Sequence, residues 1–372
     1  MRIAMIGQKR TGSREGGVEV VVTELARRMA ALGHKVTCYD RSGTDVNGEP
    51  TATEPYELDG VRVVPVRTID AKGMAALSSS FFATLAAIKD HPDVIHYHAE
   101  GPCVPLPLAR RAGVRTVATI HGLDWQRAKW GKLASTYIKL GEKNAARRAD
   151  EVIVLSRPAR EYFRETYGRE TCLVPNGIEA KELRPARVIT EYWGLTAGSY
   201  VLFLGRIVPE KRPELLLEAW RSLETNKRLV IAGGSSDTSE YLEQVKILAS
   251  QDPRVIMTGF VEGEALAELY SNAYAYVLPS DVEGMPMSLL EAMAYGRCCV
   301  TSDIPECADV VNKTGVTFPC GNLRALRKAL SALISDSSRV DALGGAARTR
   351  VEIEYGWDSV VQKTLDIYRE LV

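Results

Sequence analysis

Two glutamates separated by seven residues, Glu283 and Glu291, belong to the run Ser280-Asp281-Val282-Glu283-Gly284-Met285-Pro286-Met287-Ser288-Leu289-Leu290-Glu291. The run lies where an apolar strand ends and a helix is expected to begin. Gly284 lets the backbone turn closely, and Pro286 suits a helix entrance. The first amides of that helix, at Met287, Ser288 and Leu289, are expected to lack helical partners and to attract phosphate oxygens, aided by the helix dipole. Glu283 falls on the loop and Glu291 about one turn into the helix. Carboxylates accept hydrogen bonds from sugar and ribose hydroxyls, so the residue types describe a pocket for a sugar and a phosphate. Two glutamates that only stabilise a helix start account for the same spacing.

Cations stand at a second strand end, in Gly205-Arg206-Ile207-Val208-Pro209-Glu210-Lys211-Arg212. Gly205 permits a tight turn. The fork of Arg206 and the point charge of Lys211 together suit a diphosphate leaving group. A solvated basic loop capping its own helix is the plainer account of these residues. Near the start of the chain, Gly16-Gly17 precedes a helix pattern and allows backbone approach to a ligand at a helix N-terminus. The loop Gln8–Glu15 before it carries Lys9, Arg10 and Arg14, which suggests recognition of an anionic acceptor or a moving lid. His121 follows an apolar strand at its carboxyl end, where ligand contacts gather in such sheets. His96-x-His98 shares one strand face, but no third ligand accompanies it, so the pair reads as framework and no metal site is expected.

The elements that must position these residues alternate along the chain. Short apolar strands at 2–6, 36–39, 93–98, 115–120, 151–155 and 171–174 are separated by amphipathic stretches, the signature of βαβ units on a parallel sheet. Val18, Val21, Val22, Leu25, Met29 and Leu32 recur at helical spacing, and Gly33 ends the pattern. The polar, turn-rich stretch 44–56 reads as an excursion. A second series has strands at 200–204, 228–232, 254–257, 273–278 and 298–301. Two doubly wound sheets in tandem follow, with substrates expected outside the strands' carboxyl ends and one shared cleft between them. The expected organisation is a first domain over 1–180 completed by a helix over 357–372, a linker over 181–198, and a second domain over 199–356.

Composition bounds the function. The 372 residues carry 47 Lys+Arg and 47 Asp+Glu, which argues against a dedicated nucleic-acid binder. That balance is a cancellation, since residues 1–185 hold 28 basic against 22 acidic and residues 186–372 hold 19 against 25. Seven cysteines, odd in number and with no Cys-x-x-Cys pair, fit a reducing cytoplasm. The start lacks the apolar core of a signal peptide, and no apolar run is long enough to span a bilayer. From Arg127 to Arg148 the chain has seven basic residues and one acid, Glu142, interleaved with Trp130, Tyr137, Ile138 and Leu140. Such a stretch suits either an anionic membrane surface or a solvated helix face.

Glu283-x₇-Glu291, the Gly205-Arg206…Lys211 loop, Ala232-Gly233-Gly234, Gly259-Phe260-Val261 and the closing helix from Trp357 together resemble retaining glycosyltransferases of family 4, whose fold is GT-B. The resemblance covers nearly the whole chain and rests on the conjunction. It implies that Arg206 and Lys211 hold the donor diphosphate, that Glu291 contacts the ribose and that Glu283 contacts the transferred sugar. It places Phe260 and Val261 at the nucleobase, with Gly16, Gly17, Gly205, Gly233, Gly284, Met287, Ser288 and Leu289 in the donor site. His121 is implied as a sugar-orienting or transition-state-stabilising residue. The donor would be a UDP-, dTDP- or GDP-sugar, the acceptor a glycan or lipid-linked sugar, and no cofactor or metal is implied. Arg127–Arg148 would then meet an anionic membrane. Bacterial polysaccharide-assembly members, including rhamnosyl- and hexosyltransferases, look most alike. Competing classes are a GT-B epimerase or hydrolase and a catalytically silent nucleotide-sugar binder. A dinucleotide-dependent dehydrogenase is disfavoured, because Gly7, Gly12 and Gly16-Gly17 do not give Gly-x-Gly-x-x-Gly.

Overall fold

The computed structural model describes residues 1–44, 49–69, 74–126, 131–234 and 239–372. They form two compact units, one of Met1–Gly177 with Trp357–Val372 and one of Ile178–Gly356.

The first unit is built on eight strands among the described residues: β1 (Arg2–Ile6), β2 (Lys35–Arg41), β3 (Tyr56–Leu58), β4 (Val61–Val66), β5 (Val94–His98), β6 (Arg115–Ile120), β7 (Glu151–Val154) and β8 (Cys172–Leu173). Their order is β3-β4-β2-β1-β5-β6-β7-β8. Only β3 runs antiparallel to its neighbour. Helices α1 (Gly17–Ala31), α2 (Ala75–Lys89), α3 (Leu106–Arg111), α4 (Lys132–Arg148) and α5 (Arg157–Tyr167) connect the strands. Burial on both faces explains why the strands read as continuous apolar runs. Ile95, Tyr97, Ala118, Ile120, Val152 and Val154 form the core with Leu106 and Phe163. The α5 boundaries follow sequence chemistry closely: Ser156 caps it by accepting from the Ala159 amide at 3.3 Å, and Gly168 ends it in the left-handed region. The helix Trp357–Leu371 also belongs to this unit, with Trp357, Val361, Leu365 and Tyr368 buried.

The β3–β4 hairpin begins at Tyr56, the last residue of the segment expected as an excursion, where no strand was expected. Asp59 and Gly60 at its tip have φ of 51° and 78°, the primed turn that an Asp-Gly pair favours. Residues 45–48, part of that excursion, lie outside the described residues.

The second unit has six parallel strands among the described residues: β9 (Tyr200–Leu204), β10 (Arg228–Ala232), β11 (Val255–Gly259), β12 (Ala275–Leu278), β13 (Cys298–Ser302) and β14 (Val316–Phe318). The order β11-β10-β9-β12-β13-β14 reverses between β9 and β12. Chain connections diverge at such a point and leave a crevice at the strands' carboxyl ends. Helices α6 (Val188–Trp193), α7 (Pro213–Arg221), α8 (Ser239–Ala249), α9 (Gly263–Asn272), α10 (Met287–Ala294), α11 (Pro305–Val311), α12 (Leu323–Ile334) and α13 (Ser337–Glu354) complete it.

Residues 181–198, expected as a linker, are instead built into this unit. The Glu268 carboxylate accepts from the amides of Arg187 and Ile189 at 2.9 and 3.0 Å, and Ser271 Oγ accepts from the Arg184 amide at 2.9 Å. Buried Ile189 seats α6 beside α9. Charge and a proline made the stretch look like a connector, whereas one buried carboxylate organises it.

Candidate active site

In the second unit the loops after β9 and β12, the two strands flanking the reversal point, bring Gly205–Lys211 together with Ser280–Glu283. Lys211 Nζ and Glu283 Oε1 are 2.6 Å apart, with about a tenth of each side chain exposed, at 11% and 9%. Ser280 Oγ donates to the same carboxylate oxygen at 2.8 Å. The Asp281 amide donates to the Glu210 carbonyl at 2.8 Å, which ties the two loops together through the main chain. A Cβ on Gly205 would lie 3.2 Å from Lys211 Cδ, so the missing side chain makes room for the lysine stem.

Glycine is required next door. Gly233 has φ of +138°, and a Cβ there would stand 1.9 Å from the Gly205 carbonyl oxygen. The Gly205 amide donates to Ala232, the Gly233 amide to Gly259 and the Ile207 amide to Gly234, at 3.0, 2.8 and 2.9 Å. Three successive loops are thus stacked by main-chain hydrogen bonds. Phe260, 42% exposed, and half-buried Val261 follow Gly259 on the outermost of them.

Pro286 precedes α10, as its ring favours. The helix begins at Met287, but the Leu289 amide already donates to the Pro286 carbonyl at 3.1 Å. This corrects the expectation that Leu289 offers a free amide: its N–H is taken up as the first turn tightens. Glu291 is buried and accepts from the Tyr270 hydroxyl at 3.0 Å. Tyr276 links Ser288 Oγ at 2.8 Å to the Leu204 carbonyl at 3.2 Å, so α10 is braced against the end of β9. Burial pushes the Tyr276 hydroxyl well above its ordinary value and keeps it neutral. Tyr270 and Tyr276 were not singled out in the sequence, because nothing in their spacing sets them apart from other residues of strands and helices, and Ser280 entered only as the first residue of its run, with no role assigned.

In the first unit, Gly16 caps α1 in extended conformation. Glu19, in the first turn, accepts from the Lys9 amide at 2.9 Å. Buried Asp40 accepts from the Thr11 amide at 2.7 Å, Thr11 Oγ1 at 2.8 Å and Gln8 Nε2 at 3.0 Å. Arg10 pairs with Glu15. The loop Gln8–Glu15 is therefore anchored from beneath, which speaks against a lid, and Arg10 already has a carboxylate beside it.

His121 directly follows β6, and its Nε2 lies 3.0 Å from His98 Nδ1. His96, its ring centre 4.1 Å from that of His98, contacts Tyr368 on the closing helix at 2.5 Å and Thr119 at 2.6 Å. Burial holds both framework histidines neutral, His96 down to about 3 and His98 well below 6.5. The Asp124 amide donates to buried Glu100 at 2.9 Å, fixing the turn after His121. Among the described residues no cluster of three His, Cys, Asp or Glu side chains suits a metal ion. The seven cysteines are free thiols. Of the basic stretch, Arg127, Lys129 and Trp130 lie outside the described residues, and the rest forms α4.

Residues 15–182 match a family model described as Glycosyltransferase Family 4, and residues 198–336 match one described as Glycosyl transferases group 1. A D-inositol 3-phosphate glycosyltransferase of Xylanimonas cellulosilytica is 27% identical over 95% of this chain and 92% of that protein. Sucrose-phosphate synthase from Thermosynechococcus elongatus superposes with a TM-score of 0.86 at 24% identity, over 100% of this chain and 98% of that one. Anabaena HepE, solved in complex with UDP and glucose, superposes with a TM-score of 0.79 at 16% identity over 100% of both chains.

Proposed function

The chain is a glycosyltransferase of the GT-B type, carrying a family 4 domain followed by a group 1 domain, and from that premise we propose that it moves a sugar from a nucleotide diphospho-sugar to an acceptor hydroxyl with retention at the anomeric carbon. The observation that carries this reading is the cluster at the reversal point of the second sheet, where Lys211, Glu283 and the start of α10 meet. Departure of the diphosphate builds negative charge on phosphate oxygens. Arg206, Lys211 and the amides of Met287 and Ser288 stabilise that charge, and fixed donors of this kind need no reorganisation as it develops.

Glu291 takes the ribose hydroxyls and Glu283 the hydroxyls of the transferred sugar. Phe260 and Val261 line the base, and Gly16, Gly17, Gly205, Gly233 and Gly284 let backbone approach the donor. His121 orients the sugar. The leaving phosphate accepts the acceptor's proton, so no separate base is invoked and no metal takes part. The donor is a UDP-, dTDP- or GDP-sugar, a class supported by the UDP complex of HepE. The acceptor is a glycan or a lipid-linked sugar on the cytoplasmic side, in bacterial surface-polysaccharide synthesis of the rhamnosyl- or hexosyltransferase kind.

A thermal-shift screen against uridine, thymidine, guanosine and adenosine diphosphates and their sugars tests the donor class, since a ligand of the native state raises the unfolding temperature. Product analysis with the stabilising sugar then tests transfer. Binding without transfer or hydrolysis would leave only a silent binder, and a glycosyl adduct on Glu283 would replace the single-step mechanism with double displacement.

A further inference from the structure

Helix α2 is apolar on both of its sides: Ala83 and Ala87 are buried in the core, with Phe82 and Ile88 packed against it. Its buried side holds Ser78, Ser79, Ser80 and Thr84, each no more than 4% exposed. These hydroxyls bond back to carbonyls of their own helix, Ser80 to Ala76 at 2.7 Å and Thr84 to Ser80 at 2.9 Å. Its outer side carries Met74, Leu77, Phe81 and Leu85 at helical spacing, 42, 37, 42 and 44% exposed. An ordinary surface helix presents polar and charged residues on that outer side. Apolar residues gathered on one face, rather than scattered, mark a surface that meets something apolar.

The charge around this stripe indicates what it meets. Helices α2, α3 and α4 follow one another, each packed on the next, as right-handed crossovers on one side of the sheet require. On α4 the exposed side is Lys132, Thr136, Lys139, Lys143 and Arg147, flanked by Leu133 and Leu140 at 90 and 48% exposure. Across α2, α3 and α4 the sole carboxylate is Glu142. It is buried and accepts from Trp125 Nε1 and from the hydroxyls of Tyr162 and Tyr167, so the outer surface of these helices carries no negative charge of its own. We infer that the α2–α4 layer docks on an anionic lipid bilayer, with Leu77, Phe81 and Leu85 entering the headgroup boundary and the α4 cations lying against lipid phosphates. A second copy of the same face would set cation against cation, which disfavours a symmetric dimer through it.

Co-sedimentation of the full chain with phosphatidylglycerol-containing vesicles, compared with phosphatidylcholine vesicles, tests this. Binding is expected to the anionic vesicles and to weaken with salt, because cations held near a charged surface are screened. Lys132→Gln, Lys143→Gln and Arg147→Gln should each lower the partition coefficient about fivefold at low salt. Phe81→Ser should lower it on the order of tenfold at any salt, and Leu77→Ser with Leu85→Ser should remove the rest. All these side chains are exposed, and unchanged unfolding temperatures of the variants verify that they fold. Transfer to a soluble acceptor, or donor hydrolysis, should be unaltered in them, which separates loss of docking from failure of the proposed chemistry. No binding to anionic vesicles at low salt, or binding indifferent to the serine substitutions, overturns the inference. So does a dimer in sedimentation velocity that the serine substitutions dissolve, since the face would then belong to a second copy.

Discussion

Lys211 and Glu283, assigned to different parts of one donor, hold each other at 2.6 Å. Each is the other's counter-charge until a diphosphate supplies a second anion for the lysine. Removing one member of a largely buried pair strands the other, at a cost of about 3–5 kcal/mol. Glu283→Gln is therefore expected to destabilise the second unit, and saturating nucleoside diphosphate should restore part of the loss. Thermal unfolding with and without nucleotide reads this directly, and an equal deficit in both conditions would separate Lys211 from the phosphate. Arg206→Ala or Lys211→Ala should each lower turnover by about 10²–10³, and retention of activity in both removes the diphosphate assignment. Glu291→Ala should weaken nucleoside diphosphate binding roughly ten- to hundredfold by calorimetry, the worth of a hydrogen bond to a charged group. In the first unit, buried His96 stays neutral down to about pH 3, whereas in the unfolded chain it gains a proton below about 6.5. The unfolded state then binds more protons, so this residue withdraws stability as pH falls from 6.5 towards 3, by up to about 1.4 kcal/mol per pH unit. Glu100, raised by burial, acts in the opposite sense as the medium becomes acidic. Urea midpoints at neutral and mildly acidic pH should thus show a shallower pH slope for His96→Gln than for the parent, and parallel slopes would contradict the buried neutral assignment.

At the scale of elements, precision comes from main chain that side-chain patterns do not reveal. The three stacked loops after β9, β10 and β11 need glycine at 233, because any Cβ would enter the Gly205 carbonyl. Gly233→Ala should cost several kcal/mol, as expected where left-handed backbone and a close contact coincide, and it should weaken nucleotide binding through the displaced Gly205–Lys211 loop. A folded protein with native affinity would show that the stack is not what places Lys211. Much of this architecture was legible beforehand. The apolar runs β1, β6, β9 and β10 lie at the expected residues, since strands buried on both faces write themselves as continuous hydrophobics. Less legible were β4, whose Asp-Gly turn was present but sits beside a polar stretch, and α6, whose anchor Glu268 lies about eighty residues away. The spacing of Glu283 and Glu291 pointed to a site; the bracing of Glu291 by Tyr270 could not be read, because it depends on α9 packing beside α10, whereas the Ser280–Glu283 bond closes within one loop. Helix α2 escaped for a related reason: a run of serines looks like a surface until the fold turns it inward.

The whole molecule is two units, and the first is assembled from both ends of the chain. Gly177 lies against the Trp357 ring, where a Cβ would come within 2.3 Å of the indole. Arg28 lies over the same ring at 5.9 Å and reaches Asp358 at 3.5 Å. Tyr368, fully buried, completes the polar contacts of His96. Gly177→Ala should therefore lower the stability of the first unit while leaving the second intact, seen as a shift in one of two unfolding transitions; a shift in the other would place the helix's energetic role elsewhere. Discontinuity also has a cost during biosynthesis. Trp357 and Tyr368 leave the ribosome only after all of Ile178–Gly356 has been made, roughly ten to forty seconds behind Gly177 at ordinary elongation rates. For that interval the α1 surface and the His96 imidazole stand open to water, so the nascent first unit waits half-finished, exposed to chaperones and proteases, until the last helix closes it.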